Sequence, residues 1–458
     1  MEASRLLARN VVATQFQSLD KETVRKAKLR ILDAIGCAFA GVRAAGSDML
    51  LELVKMWGGA GESTLLSYGG KFPAPNAAMM NSLLTRAFDY EPVEAEGENR
   101  SSAAHISGTT IPTALAVAEK QASSGSEMIA ALAAGEDLAC RLGVASGFDF
   151  SLGWCNTGTI NLFGATAVSA RLLNLNENQV FNAFGIALNQ AAGSMAGVFD
   201  KTLCFKLPIA LSSRNAVFSA ELAKRGFTGV NEPFLGPRGF FALYCRNPDT
   251  TGLVKDLGQR YYADCVIKPY SACRATHPFI DCALEISRKQ KITTGEIEKI
   301  TVHASPGIIS GFCGQPFICG ETPQVDGAFS IRFTVATALI RQDVKPEHFE
   351  ARFMNDPQVL RLIGITELAG DVAPQKMPSA SLTVKLKSGE VLEAGTAFPK
   401  GDFRKTALSE DEIKAKYRSN MAYSGTISRE KSEKALSLID NLEEVRDIQE
   451  LMKWLVRD

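Results

Sequence analysis

The chain has 458 residues, 46% of them apolar and 22% charged, with 50 basic and 50 acidic side chains and a formal net charge of zero. That composition excludes a disordered chain, which buries too little apolar surface to fold. It also argues against nucleic-acid binding, which calls for a basic patch. At about 150 residues per domain, the length predicts two to four structural units.

Ten cysteines are scattered without CxxC pairs, the pattern of reduced, buried thiols in a reducing compartment. No run of about 18 apolar residues occurs, so no membrane span is expected. Met1–Asn10 carries Arg5 and Arg9 without an apolar signal core, and a cytoplasmic location is expected. The four histidines, His105, His277, His303 and His348, form no HxH or HExxH pattern, so no metal site is expected.

In chain order, helices come first. Val24, Ala27, Ile31 and Ile35 recur at helical spacing within Glu22–Ala40, which predicts an amphipathic helix. Alanine-rich helical stretches follow at Pro112–Gln121, Glu127–Leu142, Asn161–Leu173, Asn176–Ala192 and Ser212–Arg225. Small residues in Gly164–Ala170 and Asn189–Gly197 predict closely approaching helices in an all-helical bundle. After about Asp264 the pattern changes. Glu298–Ala304 alternates as a strand, and Leu382–Leu386, a turn at Lys387–Glu390, and Val391–Leu392 read as a hairpin. Helical patterns at Pro278–Lys289 and Phe329–Arg341 lie between these strands. Ser409–Glu412 has capping-box form and opens Ile413–Arg418; Ser428–Leu442 and Val445–Val456 follow as helices. The expected fold is mostly α. Residues 1–265 and 398–458 form a large helical domain from both chain ends, and 266–397 form a smaller inserted α+β lid. The crevice between two such units is a usual place for a small-molecule site.

Five separated segments, in order, resemble the MmgE/PrpD family. They are Lys26–Gly41 (KAKLRILDAIGCAFAG), Ala87–Glu91 (AFDYE) with His105 and the helix near Pro112, Leu222–Gly229 (LAKRGFTG), Ile267–Asp281 (IKPYSACRATHPFID) and Pro399–Tyr417 (PKGDFRKTALSEDEIKAKY). The resemblance implies a helical domain with an α+β lid, a homodimer, and an enzyme that needs no organic cofactor or iron–sulfur cluster. It implies a lyase, a dehydratase or decarboxylase of a small di- or tricarboxylate, with an epimerase of an α-substituted dicarboxylate as the alternative. A family member with altered chemistry or a non-catalytic binding role is the third reading.

Proton removal next to a carboxylate needs a positioned base and fixed cations for the charge that moves onto the oxygens. By resemblance, Lys268 in KPY is the active-site cation, and His105 is the proton carrier, a residue suited to it by its titration near neutral pH. Asp89 is a base or the group that orients His105. Arg274 offers a bidentate fork to a substrate carboxylate; His277 and Tyr270 stand beside it in the same motif. Lys206 lies one residue beyond the family's lysine position, which falls on Phe205, and on a helix one residue turns a side chain by about 100°. Cys155, in Gly153-Trp154-Cys155, replaces a family histidine and is a second candidate for proton transfer. Glu91-Pro92-Val93 departs from the family's Asp-Asp-Thr pattern.

Overall fold

The computed structural model describes residues 2–98, 101–289, 292–373 and 379–458. The fold is mostly α. Asp20 opens the helix Lys21–Gly41 (α1) by accepting the Thr23 N–H at 2.8 Å, the usual N-cap bond. The helices Ala74–Arg86 (α2), Ser107–Gln121 (α3), Gly125–Ser146 (α4), Asn161–Leu172 (α5), Glu177–Leu188 (α6) and Leu207–Lys224 (α7) follow. Their cores come from the small residues seen in the sequence. A Cβ added to Gly135 on α4 would stand 2.5 Å from the Gly164 carbonyl oxygen on α5, so these two backbones meet where neither tolerates a side chain.

Two apolar clusters form. One gathers α1 to α7 with the helices Glu410–Ser424 and Arg429–Asp440, through Phe39, Phe163, Phe184 and Tyr417 among others. The other is built on residues 270–394, including Phe279, Ile300, Phe333 and Val384, and also takes in Cys37, Ala40, Phe88, Tyr90 and Phe205. The carboxyl end of α1 and the turn after α2 therefore contribute to the second cluster.

The alternating segments form strands as expected. Val93–Glu96 (β1), Ser101–Ser102 (β2) and Asp264–Val266 (β3) make a sheet of order β2-β1-β3. Ile297–His303 (β4), Thr366–Ala369 (β5), Ala380–Leu386 (β6) and Val391–Thr396 (β7) make a second sheet of order β5-β4-β6-β7. In it β4 runs parallel to β5 and antiparallel to β6. The helices His277–Lys289 (α8) and Ile331–Arg341 (α9) are the two read between the strands. Ser409 and Glu412 form the expected capping box at the start of Glu410–Ser424 (α10), and Arg429–Asp440 (α11) follows.

Two expectations need correction. Val445–Val456 is not one helix: only Gln449–Met452 is α-helical there. The chain bonds outward instead, Val445 O accepting from Gly125 N and Ile448 N donating to Ser123 O, which ties the tail to the start of α4. The small sheet of β1 to β3 was not read as strands; its members are two to four residues long, too short for an alternation to register.

The end of the chain also reaches the middle of the molecule. Lys416 on α10 is buried, bonds Asp33 Oδ1 at 2.7 Å and the Tyr90 carbonyl at 2.8 Å, and lies 3.7 Å from the centre of the Tyr90 ring.

Candidate active site

α2 ends at Arg86, and the chain turns through Phe88, Asp89 and Tyr90 into β1. Asp89 has φ +50° and Glu94 φ +71°, left-handed conformations that cost a non-glycine residue energy and concentrate at functional sites. The KPYS segment holds this turn. Lys268 Nζ donates to the Asp89 carbonyl and lies 3.1 Å from Asp89 Oδ1; Tyr90 Oη donates to Pro269 O at 3.0 Å; Ser271 Oγ donates to Phe88 O at 3.3 Å. β1 pairs with β3 through Val93 and Val266. On β3, Asp264 accepts the Ser107 N–H at 2.7 Å at the start of α3, and Asn161 donates to the His105 carbonyl at 2.7 Å. These bonds fix His105 beside the Asp89 turn.

Arg86 is the hub. Its Nη1 contacts Asp89 Oδ1, Glu91 Oε1 at 2.7 Å and His105 Nδ1 at 3.1 Å. Glu91 Oε1 also lies 2.9 Å from His105 Nδ1. Nδ1 cannot both accept from the guanidinium and donate to the carboxylate. The shorter contact is to an ionised carboxylate, which can only accept, so Nδ1–H donates to Glu91, and Nε2 carries the lone pair. Burial and then the Arg86 charge hold His105 below the usual imidazole range, against the opposing pull of Glu91. The ring is therefore neutral at neutral pH and able to take a proton. Burial would raise the Glu91 carboxyl, but Arg86, His105 and Lys268 together outweigh it and keep the group ionised.

The ligand atoms of Asp89, Glu91 and His105 lie within 4.8 Å of one another, a spacing that would suit a metal ion. The Arg86 Nη1 already touches all three, so a guanidinium supplies the positive charge at their centre. Arg86 Nε is buried and has no hydrogen-bond partner, which leaves a donor for an incoming carboxylate.

A cavity of about 380 Å³ opens against this group, walled by Arg86, Asp89, His105, Cys155, Asn156 and Arg274 together with a larger apolar surface. Of the eight residues singled out in the sequence, Asp89, His105, Cys155 and Arg274 line it. Lys268 is fully buried behind Asp89. Cys155 Sγ meets Thr157 Oγ1 at 2.9 Å. Arg274 engages Glu94 Oε1 at 3.3 Å and the Lys400 carbonyl at 2.9 Å. His277, buried and held neutral by burial and by the Arg274 charge, donates from Nε2 to Ala272 O and receives Arg274 Nη1 at Nδ1; it orients the arginine from outside the cavity wall. Tyr270 donates to Asp281 Oδ1 at 2.6 Å and also stands off the wall. Lys206 is buried and does not line the cavity; its Nζ lies 5.7 Å from the centre of the Phe205 ring and donates to Ala45 O at 2.7 Å, and burial with the nearby Arg86 brings it down to about 7.

Sequence reasoning missed Arg86 and Glu91. Arg86 precedes Asp89 by three residues at a helix end, a spacing that lets the side chains meet, and that is the signal that would have found it. Glu91 was seen only as a departure from a pattern. A second cleft, about 480 Å³, contains Arg25, Lys26, Arg260 and Asp264. Its cations are matched by Glu22, Glu410 and Glu96, and no histidine lines it.

The sequence matches the MmgE/PrpD N-terminal domain over residues 5–252 and the MmgE/PrpD C-terminal domain over residues 270–443. The chain belongs to the MmgE/PrpD family. Among curated MmgE/PrpD-like relatives, the cis-aconitate decarboxylase-like protein oryM of Aspergillus oryzae is 24% identical, covering 94% of this chain and 92% of its own. The cis-aconitate decarboxylase of Aspergillus terreus is 23% identical, covering 95% of this chain and 92% of its own. The family assignment thus spans the Arg86–His105 cluster in the first domain match and the Arg274 motif in the second. No helix among the described residues is long and apolar enough to cross a membrane.

Proposed function

We propose that this protein is a lyase that cleaves a bond next to a carboxylate of a small carboxylic acid, with His105 as the proton carrier. The observation that carries this reading is His105 on a cavity wall, neutral, with its Nδ1–H held by the buried Glu91 carboxylate. A base fixed in one tautomer by a carboxylate is ready to accept a proton at Nε2. The substrate carboxylate lies against Arg86 Nε, where charge developing on its oxygens meets a fixed guanidinium. Asp89 and Lys268 keep that guanidinium in place. Arg274, oriented by His277, takes a second carboxylate at the other part of the wall. Names of relatives at 23–24% identity that read cis-aconitate decarboxylase support lyase chemistry of this kind.

The same first step serves an epimerase, and Cys155 on the same wall is the group that would return the proton from a second position. Incubation with citrate-like, aconitate-like and aspartate-like acids in deuterated water separates the two. Loss of water or carbon dioxide, abolished in His105→Ala and Lys268→Ala, supports the lyase. Deuterium incorporation without mass loss transfers the assignment to the epimerase. No exchange with any acid in folded protein sinks both.

The segments 1–265 with 398–458, and 266–397, are taken as two units that meet at the cavity. The functional form is taken as a homodimer. Leu207, Leu211 and Phe218 are exposed on α7, with Arg214 between the last two lying over the Trp57 ring; exposed large apolar side chains grouped on one helix suit an association surface. Sedimentation of the wild type and of Leu211→Glu tests it, and a monomeric wild type refutes it.

A further inference from the structure

The cavity wall is mostly hydrocarbon, and its arrangement is directional. From Arg86 an unbroken series of rings runs outward. The guanidinium carbon lies 5.3 Å from the centre of Phe205. Phe205 and Phe329 are 5.5 Å apart, Phe329 and Phe312 5.8 Å, and Phe312 and Phe199 5.5 Å, each pair edge to face. Phe199 is 46% exposed and Ile308 36% exposed, and both still belong to the cavity lining. Phe329, Phe312 and Phe199 of this series line the cavity that also holds Arg86, with Phe205 packed behind them, so the apolar wall continues from the interior to solvent. Val93, Met195 and Val198 complete it.

The charges are equally informative. Arg86 is matched by Asp89 and Glu91, Lys268 by Asp89, and Arg274 by Glu94 with Asp402 at 3.9 Å. Two arginines face the cavity, and both are already compensated. Each can take one of the two carboxylates assigned above, so a tricarboxylate would bring a third negative charge with no cation left on the wall to meet it, and it would leave the ring series uncovered. An acid with one or two carboxylates and a hydrocarbon chain satisfies both parts of the wall.

We propose that the substrate is an alkyl-substituted mono- or dicarboxylic acid, and that Val198, Phe199, Ile308 and Phe312 select it by burying the chain. This rests on the carboxylate-binding role given to Arg86 above. Burying one methylene contributes a factor of about fourfold in affinity.

The test is calorimetric titration of the full-length protein with succinate and with its 2-ethyl, 2-butyl, 2-hexyl and 2-octyl derivatives. The dissociation constant is expected to fall by up to about fourfold per methylene until the chain leaves the cavity. In a Phe199→Ser, Ile308→Ser double variant the slope is expected to drop below twofold per methylene. A dissociation constant that is flat or rises with chain length overturns the proposal, as does tighter binding of the tricarboxylate tricarballylate than of every alkyl derivative. A slope that survives the double variant overturns the assignment to these residues. Because the readout is binding, its outcome is separable from that of the lyase reading. A steep slope without turnover of any acid leaves this proposal standing and removes the lyase; turnover of a short acid with a flat slope does the reverse.

Discussion

Replacing Glu91 by Gln removes one negative charge and leaves the shape of the site nearly unchanged. When His105 takes a proton, an imidazolium forms 2.9 Å from Glu91 Oε1. At an effective dielectric of 20, that attraction is about 6 kcal/mol. Gln keeps a hydrogen-bond acceptor, and Asp89 and rearranged solvent recover part of the rest, so about half is lost from the transition state. Three kcal/mol is about 100-fold in kcat. The sign of the pH effect follows from the same charge. Glu91 raises the proton affinity of His105, against the lowering by burial and Arg86, so the acid limb of kcat/KM moves to lower pH in Glu91→Gln. Steady-state rates from pH 4.5 to 8.5, with circular dichroism at each pH, measure both effects. A variant that is folded, within threefold of wild type, and has an unmoved acid limb would refute the role given to Glu91 and His105.

Arg86→Lys keeps the charge and loses the Nε donor and the planar fork; KM for the carboxylic acid should rise tenfold or more with a smaller change in kcat, and an unchanged KM would remove Arg86 from substrate binding. Arg86→Met leaves the buried Glu91 carboxylate without its cation, while Asp89 keeps Lys268, so a loss of about 3 kcal/mol in stability is expected in denaturant titration. Asp264 is brought up to about 7, chiefly by burial, above its value in the unfolded chain. Its contribution is therefore fully present at low pH and is lost as pH rises from about 4 through 7. Asp264→Asn should accordingly gain thermal midpoint over wild type at pH 8 and lose that advantage at pH 4.5, and a gap independent of pH would contradict it. Gly135→Ala should destabilise by about 1–3 kcal/mol, because the new methyl meets the Gly164 carbonyl and Val168; a variant that melts with the wild type would show that α4 and α5 can part at little cost.

The helical bundle was legible because its apolar and small residues repeat at helical spacing over many turns, as in Asn161–Leu172. The hairpin Ala380–Leu386 with Val391–Thr396 was legible for the corresponding reason at period two. The short strands Val93–Glu96 and Asp264–Val266 were not, since each is defined by a partner about 170 residues away. Within the site, Asp89, His105, Cys155 and Arg274 were found through resemblance and share one cavity wall. What resemblance could not supply was the connection between them. Arg86 bonds three groups through one nitrogen, of which only the Asp89 contact, three residues on, is hinted at by spacing, and Lys268 acts on the turn at Asp89 from 179 residues away; the convergence itself depends on three-dimensional placement.

The bond from Lys416 to the Tyr90 carbonyl has a bearing on biosynthesis. The turn that carries Asp89 and Glu91 is made early, yet one of its anchors emerges more than 300 residues later. Closing so long a loop is slow relative to local helix formation. On the ribosome the first domain match can condense around α2 to α7, but its Asp89 turn stays incompletely fastened until α10 has cleared the exit tunnel. A product cut short between the end of α7 and residue 416 would keep the first helices together and lack this fastening of the Asp89 turn.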